Sequence, residues 1–578
     1  MINSSFKFRK LILGLILLNF VSLPIFGKPP KLTVVLVIDQ FGYQYIQKLQ
    51  NNFNYSFNFL LNNGIIYTNA HHPHGAPTTG TGHAAIGTGC YAKDHGIVLN
   101  SWVTPEGKKT NCYDDASKDS AVFGENKLCD YGISAKRMMV DSLADQFIHA
   151  SKPDYPNKSF SLSFKPRSAI GMGGHLSKNI WFDEETGLFT SSKAFFDKLP
   201  EWVNRFNKKK NISKIKEISW KLCYPRKSKY YKFKNIDINE KTDYKFAGYK
   251  KSLISPPGKM TPNDPKEFEK NSYESNPYEI FQRTPLANET LLELSKECLK
   301  NNFNTEKNET FLLWVSLSPL DPLGHIYGPQ SLEITDMIYH LDKQIKDFFK
   351  LAQKLAGKKE LFFVLTADHG LEEIPEIMQI DGYKKAVRIN VKTLIKEMND
   401  LINNKYEISD LVLDFRTSMF YLDQQKFKKL KKEQRHEILN DLKIFLKKQN
   451  GVKNIWTYNE LKNSTFEPYQ LENFYKMQLY PERSGQLICQ PQPYSVFTPY
   501  PTGTSHRCAY NFDTNVPLFL YQKGKYEKKY INEKVWVPQL PVTLARILEI
   551  AKPSASPFEP LPGIKFDTAE SNFFQWIN

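Results

Sequence analysis

Apolar residues in this chain fall into two rhythms. Short continuous runs occur at residues 32–38 (LTVVLVI), 311–317 (FLLWVSL) and 361–365 (LFFVL), with further strand patterns at 159–164 and 516–521. Such runs suit strands buried on both faces of a parallel sheet. Between them lie helical periods. One covers 135–150, with Met138, Met139, Leu143 and Phe147 as its apolar side, and another covers 332–354. A third, basic and amphipathic, covers 423–449, with Phe427, Leu430, Ile438, Leu442 and Phe445 near helical spacing. Shorter helical patterns start at Leu199 and cover 290–300 and 542–551. Strands alternating with helices predict an α/β fold. The helix at 423–449 is expected to pack on the main sheet rather than lie on a membrane. Residues 181–300 read as an elaboration of the core, and a second insertion is placed at about 390–480. Within the first, 208–251 is dense in Lys, Asn and Tyr and holds no period for long, so short strands and surface loops are expected there.

Composition narrows the class. The 578 residues are 41% hydrophobic and 13% aromatic, which is globular, with material for a large core. A net charge of +17 suits anionic partners. No compact basic motif or aromatic-interleaved repeat points to nucleic acid. At the N-terminus Lys7, Arg9 and Lys10 precede an apolar stretch, 11–26, and then Gly27. This is the pattern of a secretory signal peptide, residues 1–27, with an uncleaved anchor as the alternative. The stretch is short for a span of about 20 residues, so the mature chain, 28–578, is expected to be periplasmic or secreted, with no stable membrane insertion. The seven cysteines include no CxxC pair. Export permits disulfides, and an odd count leaves at least one thiol free in a monomer.

The chemistry-bearing residues gather just past the apolar runs. Asp39 follows the first run, either as a ligand at the carboxyl end of a strand or as the cap of the next helix. Residues 77–100 carry the hydroxyls of Thr78, Thr79 and Thr81, then Ala84-Ala85-Ile86, the start of a short helix. A hydroxyl at a helix N-terminus faces free N–H groups and the positive end of the dipole, a place for an incoming phosphate. Lys165-Pro166-Arg167 puts two cations at a strand end; a solvated pair on a turn is the plain alternative. Asp321 and His325 follow 311–317, Asp368-His369 follows 361–365, and His506 sits in a Gly/Thr/Ser loop before 516–521. Together they offer three carboxylates and three imidazoles, all placed in loops. That set suits two borderline-soft divalent ions, Zn²⁺ best. Such a pair can hold both oxygens of an in-line displacement.

The segments IDQFGY, TTGTGHAAIGTG…HGIVLN, DPLGH, TADHG and GTSH, in that order, resemble the alkaline phosphatase superfamily. The likeness is strongest to the periplasmic phosphate-irrepressible alkaline phosphatases, with a type I phosphodiesterase/nucleotide pyrophosphatase-like fold. The resemblance implies a three-layer sandwich with inserted cap elements. It implies hydrolysis of phosphate monoesters by two zinc ions through a phosphothreonine. Thr79 would be the nucleophile, preferred over Thr78 and Thr81 by its spacing to His83 and Asn100. Asp39, Asp368 and His369 would hold the zinc that activates it, and Asp321, His325 and His506 the zinc facing the leaving group. Asn100 would bond a phosphate oxygen. Lys165 and Arg167 match a Lys-x-Arg pair that contacts non-bridging oxygens in place of Mg²⁺, so no Mg²⁺ site is expected. A monoester dianion is rewarded by such a pair, since Arg engages two oxygens at once. The alternative is a phosphodiesterase or nucleotide pyrophosphatase on the same metal core. Two departures stand out: no Pro precedes Gly82-His83, and Pro166 fills the middle of the pair, where Asp is common. The CxPxR motif of sulfatase precursors is absent.

Overall fold

Leu32–Ile38, wholly apolar apart from Thr33 and without solvent exposure, forms the middle of the main sheet. The structure is a computed structural model that describes residues 28–125, 127–210, 220–225, 227–232, 277–304 and 306–566. The expected leader, 1–27, lies outside these residues, as does most of 208–251. Residues 30–561 form one compact unit. Outside it, the described residues at 28–29 and 562–566 form no helix or strand.

The main sheet has ten strands. In chain order they are β1 Leu32–Ile38, β2 Ile65–His71, β3 Asn157–Ser163, β4 Lys178–Asp183, β5 Leu188–Thr190, β6 Thr310–Leu317, β7 Leu361–Thr366, β8 Asn515–Gln522, β9 Lys529–Ile531 and β10 Val535–Trp536. Their spatial order is β9-β2-β8-β7-β1-β6-β3-β4-β5, with β10 on β2. β1 pairs in parallel with β6 and β7, and Val35 stands opposite both Trp314 and Val364. β8 runs antiparallel between β7 and β2. The sheet is mostly parallel, as expected. The three longest apolar runs are its centre because strands covered on both faces lose their polar alternation. Burying each Val, Leu or Phe there contributes about 1.5–3 kcal/mol.

A second sheet of four strands, Val412–Arg416, Met419–Leu422, Leu487–Pro491 and Val452–Thr457, lies in the later part of the chain. Ile438, Leu442 and Leu446 pack against it with Phe415, Phe420 and Leu487. This corrects the expectation for 423–449. The segment forms two helices, Gln424–Phe427 and Lys432–Lys447, and they pack on the smaller sheet, not the main one. Four lysines among residues 428–432 disfavour a continuous helix by like-charge repulsion. The helix expected at 135–150 is likewise shorter, Leu143–His149, because Ser142 and Asp145 close a capping box at its start. The long helix Leu332–Ala356 and the helix Pro285–Asn302 follow the expected apolar periods.

Candidate active site

Open parallel sheets place ligands at the carboxyl ends of their strands. Here the ends of β1, β3, β6 and β7 meet three short helices: α1 Thr79–Thr88, α2 Pro166–Gly173 and α3 Leu320–Tyr327. α1 begins with a capping box. Thr78 Oγ1 accepts from Thr81 N–H, and Thr81 Oγ1 accepts from Thr78 N–H at 2.9 Å. Thr78 and Thr81 are thereby committed to the cap; Thr78 and Thr79 both line the cavity, and Thr79, the first helical residue, takes no part in the cap. Asn100 Oδ1 accepts from Gly80 N–H at 2.7 Å, which places the Asn100 side-chain amide beside Thr79. Gly82 lets α1 rest on the Asp368 backbone: a Cβ there would lie 2.4 Å from Asp368 O.

Asp321 and His325 are on α3, which corrects their expected place in a loop. Pro322 occupies the first turn, where a missing N–H removes only a donor that has no helical partner. Pro322 and Gly324 disguise the helix in the sequence. Four-residue spacing turns both side chains to one face, with His325 Nε2 3.2 Å from Asp321 Oδ1.

Two sets of three donors result. Ligand atoms of Asp39, Asp368 and His369 lie within 4.8 Å of one another, and so do those of Asp321, His369 and His506. His369 therefore faces both sets, where the sequence reading gave it to the first alone. Its ring stacks on His506 at 3.5 Å between centroids. His325 stands in the cavity wall, its ring centroid 4.9 Å from that of His506.

The hydrogen bonds prepare these groups for a metal. His325 Nδ1 pairs with Thr504 O, His369 Nδ1 with Gly370 O and His506 Nδ1 with Pro77 O, at 2.9, 3.0 and 3.1 Å. A carbonyl partner puts the proton on Nδ1 and turns the Nε2 lone pair to the site. Among the described residues, buried Asp39 Oδ1, Asp368 Oδ2 and His369 Nε2 have no hydrogen-bond partner, yet they face one another at 3.3–3.4 Å. Buried polar atoms are rarely left unmatched. Three of them converging, two carboxylates and an imidazole, fit one divalent ion.

Electrostatics agree. Burial, then the charge of Asp368, pushes the Asp39 carboxyl well up. Asp321 is held well below the usual carboxylate range, because Lys165 and His325 outweigh the effect of burial. Burial pushes His506 down to about 3 and also lowers His369, so both stay neutral, the form that ligates. The Lys165 ammonium lies 2.5 Å from Asp39 Oδ2 and 2.5 Å from Asp321 Oδ2, one carboxylate from each set. Arg167 lines the same cavity, of about 610 Å³, with Thr79, Asn100, His325 and His506. Lys165 and Arg167 sit at the N-terminus of α2, the wrong end of the dipole for cations. Their placement makes sense for an anion delivered between α1 and α2.

Two residues of the site were not singled out as such in the sequence. His83, one turn below Thr79, has Nδ1 2.8 Å from Thr79 O and 3.1 Å from Asp368 Oδ2, and Nε2 2.8 Å from Ser316 Oγ. Its signal was the four-residue spacing from Thr79. Gln40, next to Asp39, donates to both donor sets. All seven cysteines are unpaired.

Comparison with known proteins gives a consistent picture. Alkaline phosphatase PhoV of Synechococcus elongatus is 28% identical over 536 residues, 91% of each chain. A protein of Myroides odoratus named calcium-transporting ATPase is 28% identical over 534 residues, covering 91% of this chain and 93% of the other. The crystal structure of wild-type alkaline phosphatase PafA superposes with a TM-score of 0.79 at 23% identity, covering 93% of this chain and 99% of that one, and shares its fold. The model of the family described as type I phosphodiesterase / nucleotide pyrophosphatase matches residues 33–515, from β1 to the start of β8 and across the whole site, and the chain belongs to that family.

Proposed function

We propose that this chain is an alkaline phosphatase, a metal-dependent hydrolase of phosphate monoesters. The observation that carries this reading is the cation pair at the head of α2, Lys165 and Arg167, in the cavity that Thr79 also lines. A monoester has one more charged oxygen than a diester, and two cations reward it. Asp39, Asp368 and His369 would hold one divalent ion, and Asp321 and His506, with His325 or His369, a second; Zn²⁺ is the best match to these donors. Bound there, the ions would supply Lewis acidity toward the entering and departing oxygens.

The chain's own groups account for the rest. Thr79 Oγ forms the bond to phosphorus while the ester P–O bond breaks on the opposite side, toward Asp321, His325 and His506. Water then cleaves the phosphothreonine, releasing phosphate and restoring the hydroxyl. Asn100 and Arg167 hold non-bridging oxygens, and the α1 N-terminus favours the anion. His83 is hydrogen-bonded to Thr79's backbone and to Ser316 and stands beside Asp368, so it braces the nucleophile's turn next to the first donor set. The leader at 1–27 directs export; sequencing the N-terminus of protein recovered from outside the cytoplasm tests that.

The name of the Myroides relative fits the same chemistry, because the terminal phosphoryl of a nucleoside triphosphate presents the same dianion. The family description favours a second reading, a phosphodiesterase. The two are separated by kcat/KM on p-nitrophenyl phosphate and on bis-p-nitrophenyl phosphate, for the zinc-loaded wild type and Lys165→Ala/Arg167→Ala. A monoester preference that shrinks in the double variant supports the phosphatase. A diester preference, or no effect of removing the cations, refutes it.

A further inference from the structure

Gln40 combines three features that no other residue of the site shares. Its φ is 65°, the left-handed region that a long side chain rarely adopts. It is fully buried. Its two N–H groups serve different donor sets: the backbone N–H donates to Asp368 Oδ1 at 3.1 Å, and the side-chain amide donates to Asp321 Oδ1 at 2.8 Å. Its amide oxygen has no hydrogen-bond partner among the described residues and rests against the α3 backbone, where a Cβ on Gly324 would come within 1.9 Å of it.

Strained backbone persists where the surroundings over-determine it, and it clusters at functional sites. Turn chemistry alone would place glycine at this position. What glycine cannot supply is the side-chain amide. With Gln40 left-handed, its backbone reaches the first set and its side chain folds back onto the second. Asp321 is then held on both oxygens: Oδ2 by Lys165 and Oδ1 by Gln40. A carboxylate free to turn about its last bond presents a poorly defined ligand, and a hydrogen bond to it fixes the direction.

We propose that Gln40 is a positioning residue that clamps Asp321 against the first donor set, making the two ion sites one rigid unit. The proposal rests on the two-ion reading above. Its residues are this chain's own, and it concerns chiefly the ion facing the leaving group. The bare Gly324 backbone is part of the device, since any side chain there would displace the amide.

The test is release of zinc to a chromophoric chelator from the fully loaded protein, with metal content measured beforehand and the visible spectrum of the Co²⁺-substituted protein alongside. The variants are Gln40→Ala, Gln40→Gly, Gln40→Asn and Gln40→Glu. Ala and Gly both lose the amide, but Gly relieves the left-handed backbone. Asn tolerates that backbone and keeps an amide one carbon too short. Glu keeps the length and offers an acceptor beside Asp321 in place of a donor. Expected is one ion released about 10–100-fold faster in all four, with the other ion unchanged. The Co²⁺ spectrum should change for one of two ions, and kcat should fall with little change in KM. Unfolding midpoints of the metal-free proteins monitor the fold, and Gly should match or exceed wild type in that measure.

Wild-type release from Gly or Asn would show that strain relief or any short amide suffices, and would overturn the proposal. So would release of both ions from every variant at the wild-type rate while wild type itself holds two. A wild type that holds fewer than two ions overturns the two-ion reading and this proposal with it.

Discussion

Gly82 lies inside α1, between the turn that carries Thr79 and the backbone of Asp368. In an ordinary helix Gly→Ala stabilises by about 1 kcal/mol. Here the added Cβ would meet Asp368 O at 2.4 Å, Asp368 Cβ at 2.8 Å and Asp368 C at 2.9 Å, and two of these are backbone atoms that cannot swing aside. Ordinary contact begins near 3.4 Å, so α1 and the Asp368 loop must separate by about 1 Å, a displacement that can lower turnover about 100-fold when it falls on the reacting groups. Overpacking costs about 1–3 kcal/mol, and the helix gain offsets part of it. Gly82→Ala should therefore lose activity far more than stability. Gly42→Ala is the control, because its Cβ would meet nothing nearer than 3.5 Å. The assays are kcat/KM on p-nitrophenyl phosphate and the thermal midpoint, measured on the same preparations. Wild-type kcat/KM in Gly82→Ala with a raised midpoint would refute the close-contact reasoning.

Thr79→Ala should abolish the phosphoryl-enzyme seen on rapid acid quench while metal content stays at the wild-type level. Thr78→Ala should instead lower stability by about 1 kcal/mol, the usual loss of a helix cap, and keep the phosphoryl-enzyme. Burial holds His71 and His95 near 3 and His72 near 4. These folded values lie below the ordinary 6.5, so the unfolded chain binds more protons between them. The contribution is complete above pH 6.5 and is lost as pH falls toward 4 for His72 and toward 3 for His71 and His95, by about 1.4 kcal/mol per pH unit for each histidine. Denaturant unfolding of the metal-free protein at several pH values reads this slope, and His95→Gln should flatten it. Chelation should lower the thermal midpoint, and Zn²⁺ should restore it where Mg²⁺ does not, because three imidazoles favour the softer ion.

The centre of the fold was legible because its strands are covered on both faces and read as unbroken apolar runs. The second sheet was not, because strands such as Val412–Arg416 and Val452–Thr457 mix buried and half-buried positions and carry no clean period. The site was legible where its residues follow those runs directly, as Asp39 and Asp368-His369 do. α3 was hidden by Pro322 and Gly324, residues that usually mark a loop. His83 needed the helix to be extended back to Thr79. Gln40 could not be found by type, since its importance lies in a backbone angle and in two partners far along the chain. Lys165 is expected from the sequence as a phosphate contact, but its engagement with both carboxylates depends on where β1 and α3 come together.

The donor sets draw on Asp39 near one end of the chain and His506 near the other, joined by strands that are neighbours only in the finished sheet. Such contacts are the slowest to form, since they close the largest loops. The second set is complete only with His506, just before β8, so a chain that ends earlier holds all the donors of the first set alone. Uptake of an ion by the second set would thus report completed folding and not an early collapse. An ion that binds only the native form holds it in place, so an ion held there would also act as a latch that closes the fold.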